Sequence, residues 1–288
     1  MYLSLLRRTN IVAHHITTPK VQITNPPLYM LHGVLGNKGN FRTPAKKIAE
    51  VCKCEIVSLD ARNHGESFHA PIMSYRSMAE DVKVLANHLN HQNVNILGHS
   101  MGGRTVMTAA LESVISKDSF EINKLIVSDV SPDNTRSSKI GDTVSSYIKQ
   151  MAKVDMEKIN GEKPKIARKY VQDQLASVVK DAGVMAFLMM NLTRDKTSGK
   201  YLWKANIHAL CSQIEQIAKF PFYEHSFDNS TMFLKGETSD YIKEEHYGEI
   251  RRLFPRAEIK VIEKAGHWLH ADQPVLFVDA VAEFLNSE

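Results

Sequence analysis

One stretch constrains this chain more than any other: Val94-Asn-Ile-Leu-Gly-His-Ser-Met-Gly-Gly103. Residues 94–97 form an apolar run that reads as a buried strand. Gly98-His99-Ser100-Met101-Gly102 fits the pattern G-x-S-x-G, and residues 104–113 can continue as a helix. A serine at the apex of so tight a strand-to-helix turn needs neighbours without a Cβ, which the glycines two places on either side supply. The turn would hold the Ser100 hydroxyl clear of the sheet. It would also set it at the start of a helix whose free N–H groups can meet developing negative charge. A glycine-rich turn that merely contains serine would lack both the strand before and the helix after.

The rest of the chain supplies the sheet such a turn requires. Residues 28–32 and 55–60 read as buried strands, and residues 41–51 between them as a helix. From Ser77 the apolar residues Met78, Val82, Leu85 and Leu89 recur at helical spacing, and residues 124–129 form a further strand with a polar end. Strands alternating with helices at this spacing predict an α/β fold, a mostly parallel sheet covered by helices on both faces. The alternation lapses over residues 134–225. Residues 144–151, 167–179 and 184–192 have helical patterns there, and no convincing sheet strand appears. It resumes with a strand at 231–236, a helix at 247–254, a strand at 258–262 and a last helix from Pro274, which puts Val278, Val281 and Leu285 on one face. The expected division is therefore a core of 28–133 and 226–288, a helical cap of 134–225, and a basic amino-terminal segment of 1–27.

Length and composition fit this plan. At 288 residues the chain suits one large α/β domain, or one with an insertion. No apolar run approaches the roughly 20 residues that span a bilayer, so no transmembrane segment is expected. The net charge of +4 is too diffuse to argue for a nucleic-acid partner. Cys52, Cys54 and Cys211 give no disulfide framework; the first two read as small buried hydrophobes on one face of a strand, in a reducing compartment.

An apex serine is a weak nucleophile until a base takes its proton. Of 13 histidines, His267 in Ala265-Gly-His-Trp268 stands after the last strand and before the last helix, where such a base belongs. His270 reads as structural. A metal site of His267, His270 and Asp272 lacks a fourth ligand, so no metal is expected. The acid that fixes the histidine tautomer has two candidates. Asp129 ends the strand after the serine helix; Asp240 follows the strand at 231–236, one residue beyond the customary place, which Ser239 holds. Asp129 is preferred because its strand neighbours the serine strand. The two N–H groups of an oxyanion hole fall to Met101 and, from His32-Gly-Val-Leu-Gly36, to Val34, with Leu35 as the alternative register. His32 reads as a strut for that loop.

His32-Gly-x-Leu-Gly36, Asp60-Ala-Arg-Asn-His-Gly-x-Ser67, Gly98-His-Ser-Met-Gly-Gly103, Ser128-Asp-x-Ser-Pro132 and Ala265-Gly-His-Trp-x-His-Ala271 occur in that order. Together they resemble the α/β-hydrolase superfamily, and within it the mitochondrial abhydrolase-domain serine hydrolases and their bacterial short-chain acyl esterase relatives. The resemblance covers about residues 28–285. It implies an α/β-hydrolase fold with a helical cap inserted after strand six of the family's scheme. It also implies cleavage of carboxylic esters without a cofactor, a mitochondrial address, and an acid after strand six, which matches Asp129. An acid at Asp240 departs from the relatives' pattern.

The expected chemistry is two-step acyl transfer on short-to-medium acyl esters, acylglycerols included; a thioesterase acting on an acylated cofactor or protein is the nearest alternative. From another class, the chain reads as a hydrolase-fold binding protein that stabilises a mitochondrial protein partner. Met189, Trp203 and Trp268 are the candidate substrate-binding side chains. The first 15 residues contain Arg7 and Arg8, and no acidic residue occurs before Glu50. That is the composition of a mitochondrial transit peptide, with matrix delivery implied; the alternatives are a basic tail or a first edge strand on a cytoplasmic protein.

Overall fold

Leu28–Leu31, Ile56–Leu59, residues 94–99 and residues 124–128 are buried almost without a break. Runs apolar on both faces belong in the middle of a parallel sheet, and that is where they lie. The computed structural model describes residues 11–116, 120–133 and 137–287. Its main sheet has seven strands: β1 (His14–Thr17), β2 (Leu28–Leu31), β3 (Ile56–Leu59), β4 (Asn93–His99), β5 (Glu121–Ser128), β8 (Thr231–Gly236) and β9 (Ala257–Ile262). Their spatial order is β1-β3-β2-β4-β5-β8-β9. Every pairing is parallel except that of β1 with β3.

Alternate side chains feed two cores. Tyr29, Leu31, Val94, Ile96, Leu125, Val127 and Phe233 pack on one face; Leu28, Met30, Leu97, Ile126, Met232 and Leu234 pack on the other. The period of two along a strand makes this division. The first face is covered by α2 (Tyr75–His88), α3 (Met101–Ile115) and α8 (Tyr247–Leu253), the second by α1 (Arg42–Cys52) and α10 (Pro274–Asn286).

Between β5 and β8 lie α4 (Ser137–Ala152), α5 (Pro164–Leu175), α6 (Ala182–Leu188), a two-stranded hairpin of β6 (Leu192–Arg194) and β7 (Tyr201–Trp203), and α7 (Ile207–Ala218). This segment has its own core, around Ile148, Met151, Val171, Leu188 and Leu210, which runs on into Leu35, Met78 and Met101 of the sheet layer. Two polar contacts pin it down. Asn191 Nδ2 donates to the Leu35 carbonyl (2.8 Å), and the backbone N–H of Asn206 donates to the Asn63 carbonyl (2.8 Å).

Four details bear on the sequence reading. The hairpin β6–β7 interrupts the otherwise helical segment, and Leu192 opens a strand instead of closing a helix. β1 places residues of the amino-terminal 27 at the sheet edge; residues 1–10, which carry most of the transit-peptide reading, lie outside the described residues. Cys52 ends α1 and Cys54 sits in the turn that follows, so the two do not share a strand face, although both are buried. Leu269–Asp272 adds a short helical turn, α9, before α10.

Candidate active site

In a parallel sheet the loops that leave the carboxyl ends of the strands gather on one edge, and sites form there. The ends of β2, β4, β5, β8 and β9 bring the expected residues to that edge. Ser100 caps α3 with φ 55° and ψ −117°, a region that costs an L-residue on the order of 1–3 kcal/mol and persists only where the surroundings enforce it. The surroundings do so sterically. A Cβ on Gly98 would lie 2.1 Å from the Gly102 carbonyl oxygen, and one on Gly102 would lie 2.4 Å from that of Leu31.

His267 Nδ1–H donates to Asp129 Oδ2 at 2.8 Å. Asp129 is fully buried and sits just past β5 with φ 51°. Its carboxylate also accepts from the Gly236 N–H (3.1 Å) and from the Ser239 hydroxyl. Ser239, which holds the place where an acid is customary, thus binds Asp129. Asp240 does not join this group: its side chain is 79% exposed and pairs with Lys243 at 2.9 Å. The Tyr241 ring stacks on His267, with centroids 3.6 Å apart and planes at 9°. His99, the variable residue of the serine turn, donates from Nε2 to the His267 carbonyl at 2.8 Å. Burial, and then the neighbouring His267 and His270, press the His99 pKa well below the ordinary range.

The loop after β2 passes directly beside Ser100, since a Cβ on Gly33 would stand 3.2 Å from that of Ser100. Two neutral histidines brace it. Leu35 N–H donates to His64 Nε2 (3.1 Å), and His64 Nδ1–H donates to the Arg62 carbonyl (3.0 Å). Ala61 N–H donates to His32 Nε2 (3.1 Å), and His32 Nδ1–H donates to the Gly33 carbonyl (2.7 Å). Burial, then the adjacent His32, pushes His64 down to about 3, and burial also lowers His32. The Leu35 N–H is thus engaged away from Ser100, while Val34 together with Ser100 lines the cavity above. Beneath the loop, burial tends to raise the Asp60 pKa, but the Glu66 N–H and the Lys38 ammonium and N–H hold it below the usual carboxylate value.

A cavity of about 370 Å³ opens over Ser100 and His267, and its lining is mainly apolar, with Phe187, Leu188 and Trp268 among its walls. Trp268 is therefore where the sequence reading put it, against Phe187 at 5.4 Å between ring centroids. Met189 and Trp203 are not. Met189 starts a 3-10 turn that points it into the core of the helical segment. Trp203 packs against the same core and donates its indole N–H to the Met151 carbonyl (3.1 Å). His270 lies among Phe41, His99 and Phe277, and Asp272 accepts from the Gly266 N–H. Ser239, Tyr241, His64 and Asn191 were missed in the sequence. Ser239 left a signal there by standing where an acid is customary, and His64 by falling within the Asp60–Ser67 motif.

Residues 26–274 match the family model of the α/β hydrolase fold. Over 263 residues the chain is 38% identical to the sn-1-specific diacylglycerol lipase ABHD11 of Mus musculus, across 91% of this chain and 81% of that one. It is 28% identical over 272 residues to esterase YbfF of Escherichia coli, across 93% and 96% of the two chains. The solved structure of a marine microorganism esterase superposes with a TM-score of 0.83 at 31% identity, covering 96% of this chain and 100% of that one. With a match that spans nearly its whole length, the chain belongs to the α/β-hydrolase family.

Proposed function

We propose that this protein is a serine carboxylic ester hydrolase working through a Ser100–His267–Asp129 triad. The observation that carries the reading is the buried Asp129 carboxylate held 2.8 Å from Nδ1 of His267, which itself lines a cavity together with the strained Ser100. With Nδ1 occupied by a proton, His267 Nε2 is the free base. It takes the Ser100 proton as the serine oxygen attacks the ester carbonyl. The N–H groups of Met101 and Val34 meet the oxyanion; one such donor is worth on the order of 10²–10³ in turnover. His267 then gives the proton to the leaving alcohol. Water, deprotonated by the same histidine, cleaves the acyl-enzyme and restores Ser100. The buried Asp129 keeps the imidazole in the right tautomer and stabilises its charged form. No step calls on a metal or cofactor.

The segment between β5 and β8 serves as the cap, and its apolar wall favours acyl esters of short-to-medium length. The activity named for the mouse relative brings acylglycerols into that set. The amino-terminal stretch, with arginines and no acidic residue, supports a mitochondrial address. Import of a reporter fused to residues 1–27 tests the address. The activity is tested with p-nitrophenyl esters from acetate to palmitate on wild type and Ser100→Ala. Hydrolysis by the wild type that disappears in the variant is the expected result. An inert wild type, or a variant of full activity, overturns the proposal.

A further inference from the structure

The space above Ser100 has two arms. The larger, about 370 Å³, runs past Val184, Phe187 and Trp268 and is lined by His267 but not by Met101. The smaller, about 120 Å³, runs between Val130, Ile214, Ile217 and Ala218 and is lined by Met101 but not by His267. Ser100, Val34, Val144 and Tyr241 line both, so the arms meet at the serine.

The chemistry of acyl transfer gives each arm a different occupant. The tetrahedral carbon carries the Ser100 oxygen, the oxyanion, the leaving oxygen and the acyl chain. The leaving oxygen must receive a proton from His267, so it and the alcohol behind it lie on the His267 side. The acyl chain is left the arm that His267 does not line. We infer that the smaller arm is the acyl subsite and the larger arm the alcohol subsite, which makes the enzyme selective for short acyl groups carried on bulky alcohols. This rests on the esterase reading above.

Size and rigidity sharpen the expectation. An apolar cavity of about 150 Å³ takes the six carbons of benzene, so the smaller arm, at about 120 Å³, has room for roughly five. Its far wall is tied in place. Tyr75 Oη–H donates to the Ile217 carbonyl. The buried Arg104 guanidinium donates to the carbonyls of Ala218 (2.7 Å), Asp133 (3.0 Å) and Ser131 (3.2 Å). A longer chain therefore meets a fixed wall, and a misfit methylene in such a pocket costs roughly tenfold or more.

The test is a matrix of acetate, butyrate, octanoate and palmitate esters of ethyl, cyclohexylmethyl and dodecyl alcohols, followed by pH-stat. Aliphatic alcohols keep leaving-group acidity nearly constant. For wild type, kcat/KM should fall at least about tenfold from butyrate to octanoate with any alcohol, and change far less from ethyl to dodecyl at fixed butyrate. Ile217→Ala should recover octanoate by about tenfold without altering the alcohol ranking, and Phe187→Ala should alter the alcohol ranking without moving the acyl cut-off. The wild-type matrix needs no variant to fold. A wild type that prefers octanoate or longer, or a Phe187→Ala that moves the acyl cut-off, overturns the assignment while leaving the esterase reading standing. A wild type inert on the whole matrix overturns both.

Discussion

Lowering the pH by two units should loosen this fold. His64, His99 and His270 are buried, and burial is the first cause that lowers each; His64 is pushed down to about 3 and His270 to about 4, while His99 lies well below the usual range. A histidine whose folded pKa is depressed binds no proton in the native state at pH 5.5, whereas the unfolded chain does, with a pKa of about 6.5. Stability is therefore fully present above pH 6.5 and declines as the pH falls from there toward the folded values. One unit below 6.5, each group costs about 1.4 kcal/mol, so the three together cost about 4 kcal/mol. His32, also buried and lowered, acts in the same direction. Unfolding entropy for a chain of this size is about 0.6 kcal/mol per degree, so Tm should drop by about 7 °C. Thermal melts by circular dichroism at pH 7.5 and pH 5.5, at constant ionic strength, measure it. His270→Phe should keep the packing against Phe41 and Phe277 and shrink the drop by about a third. A Tm that moves by less than about 2 °C between the two pH values would refute the argument.

Three further outcomes follow from contacts described above. Asp129→Asn should lower kcat by on the order of 10⁴, whereas Asp240→Asn, at an exposed side chain paired with Lys243, should stay near wild type; steady-state kinetics on one ester decide between them. Gly98→Ala forces a Cβ to 2.1 Å from the Gly102 carbonyl and should cost about 3 kcal/mol or more in urea unfolding. His64→Phe strips the Leu35 N–H and the Arg62 carbonyl of their partner, each worth about 1–3 kcal/mol when buried and unmade. Displacement of the loop should lower kcat on the order of 10²-fold with KM little changed.

Local pattern made most of the sheet legible. β8 runs over the residues expected, and β2, β3 and β9 differ by a residue or so, because runs apolar on both faces have few other homes. β1 was legible only as an alternative to the targeting reading, because an edge strand made of His14-His-Ile-Thr17 with no fully buried residue carries no such run. The three-residue strands of the β6–β7 hairpin are too short to show a period. The site divides in the same way. Ser100, Asp129 and His267, the residues of the proposed triad, could be named from their order along a known topology, with Asp240 left as the alternative acid. Tyr241 stacked on His267, and His64 beneath Leu35, are contacts across more than twenty residues that no local pattern records. Met189 and Trp203 were misread for a related reason. Bulky apolar residues in an insertion look alike whether they line a cavity or fill the insertion's own core.

The bond from Asn191 to the Leu35 carbonyl limits how freely this architecture can be recombined. The loop that carries Val34 beside Ser100 is gripped from below by His64 and from above by a side chain of the insertion. A chimera that grafts a foreign insertion between β5 and β8 would thus import a new substrate wall and discard half of the clamp on that loop. Donors for such a graft are best chosen by whether they carry an amide at the place of Asn191, before any comparison of cavity shape.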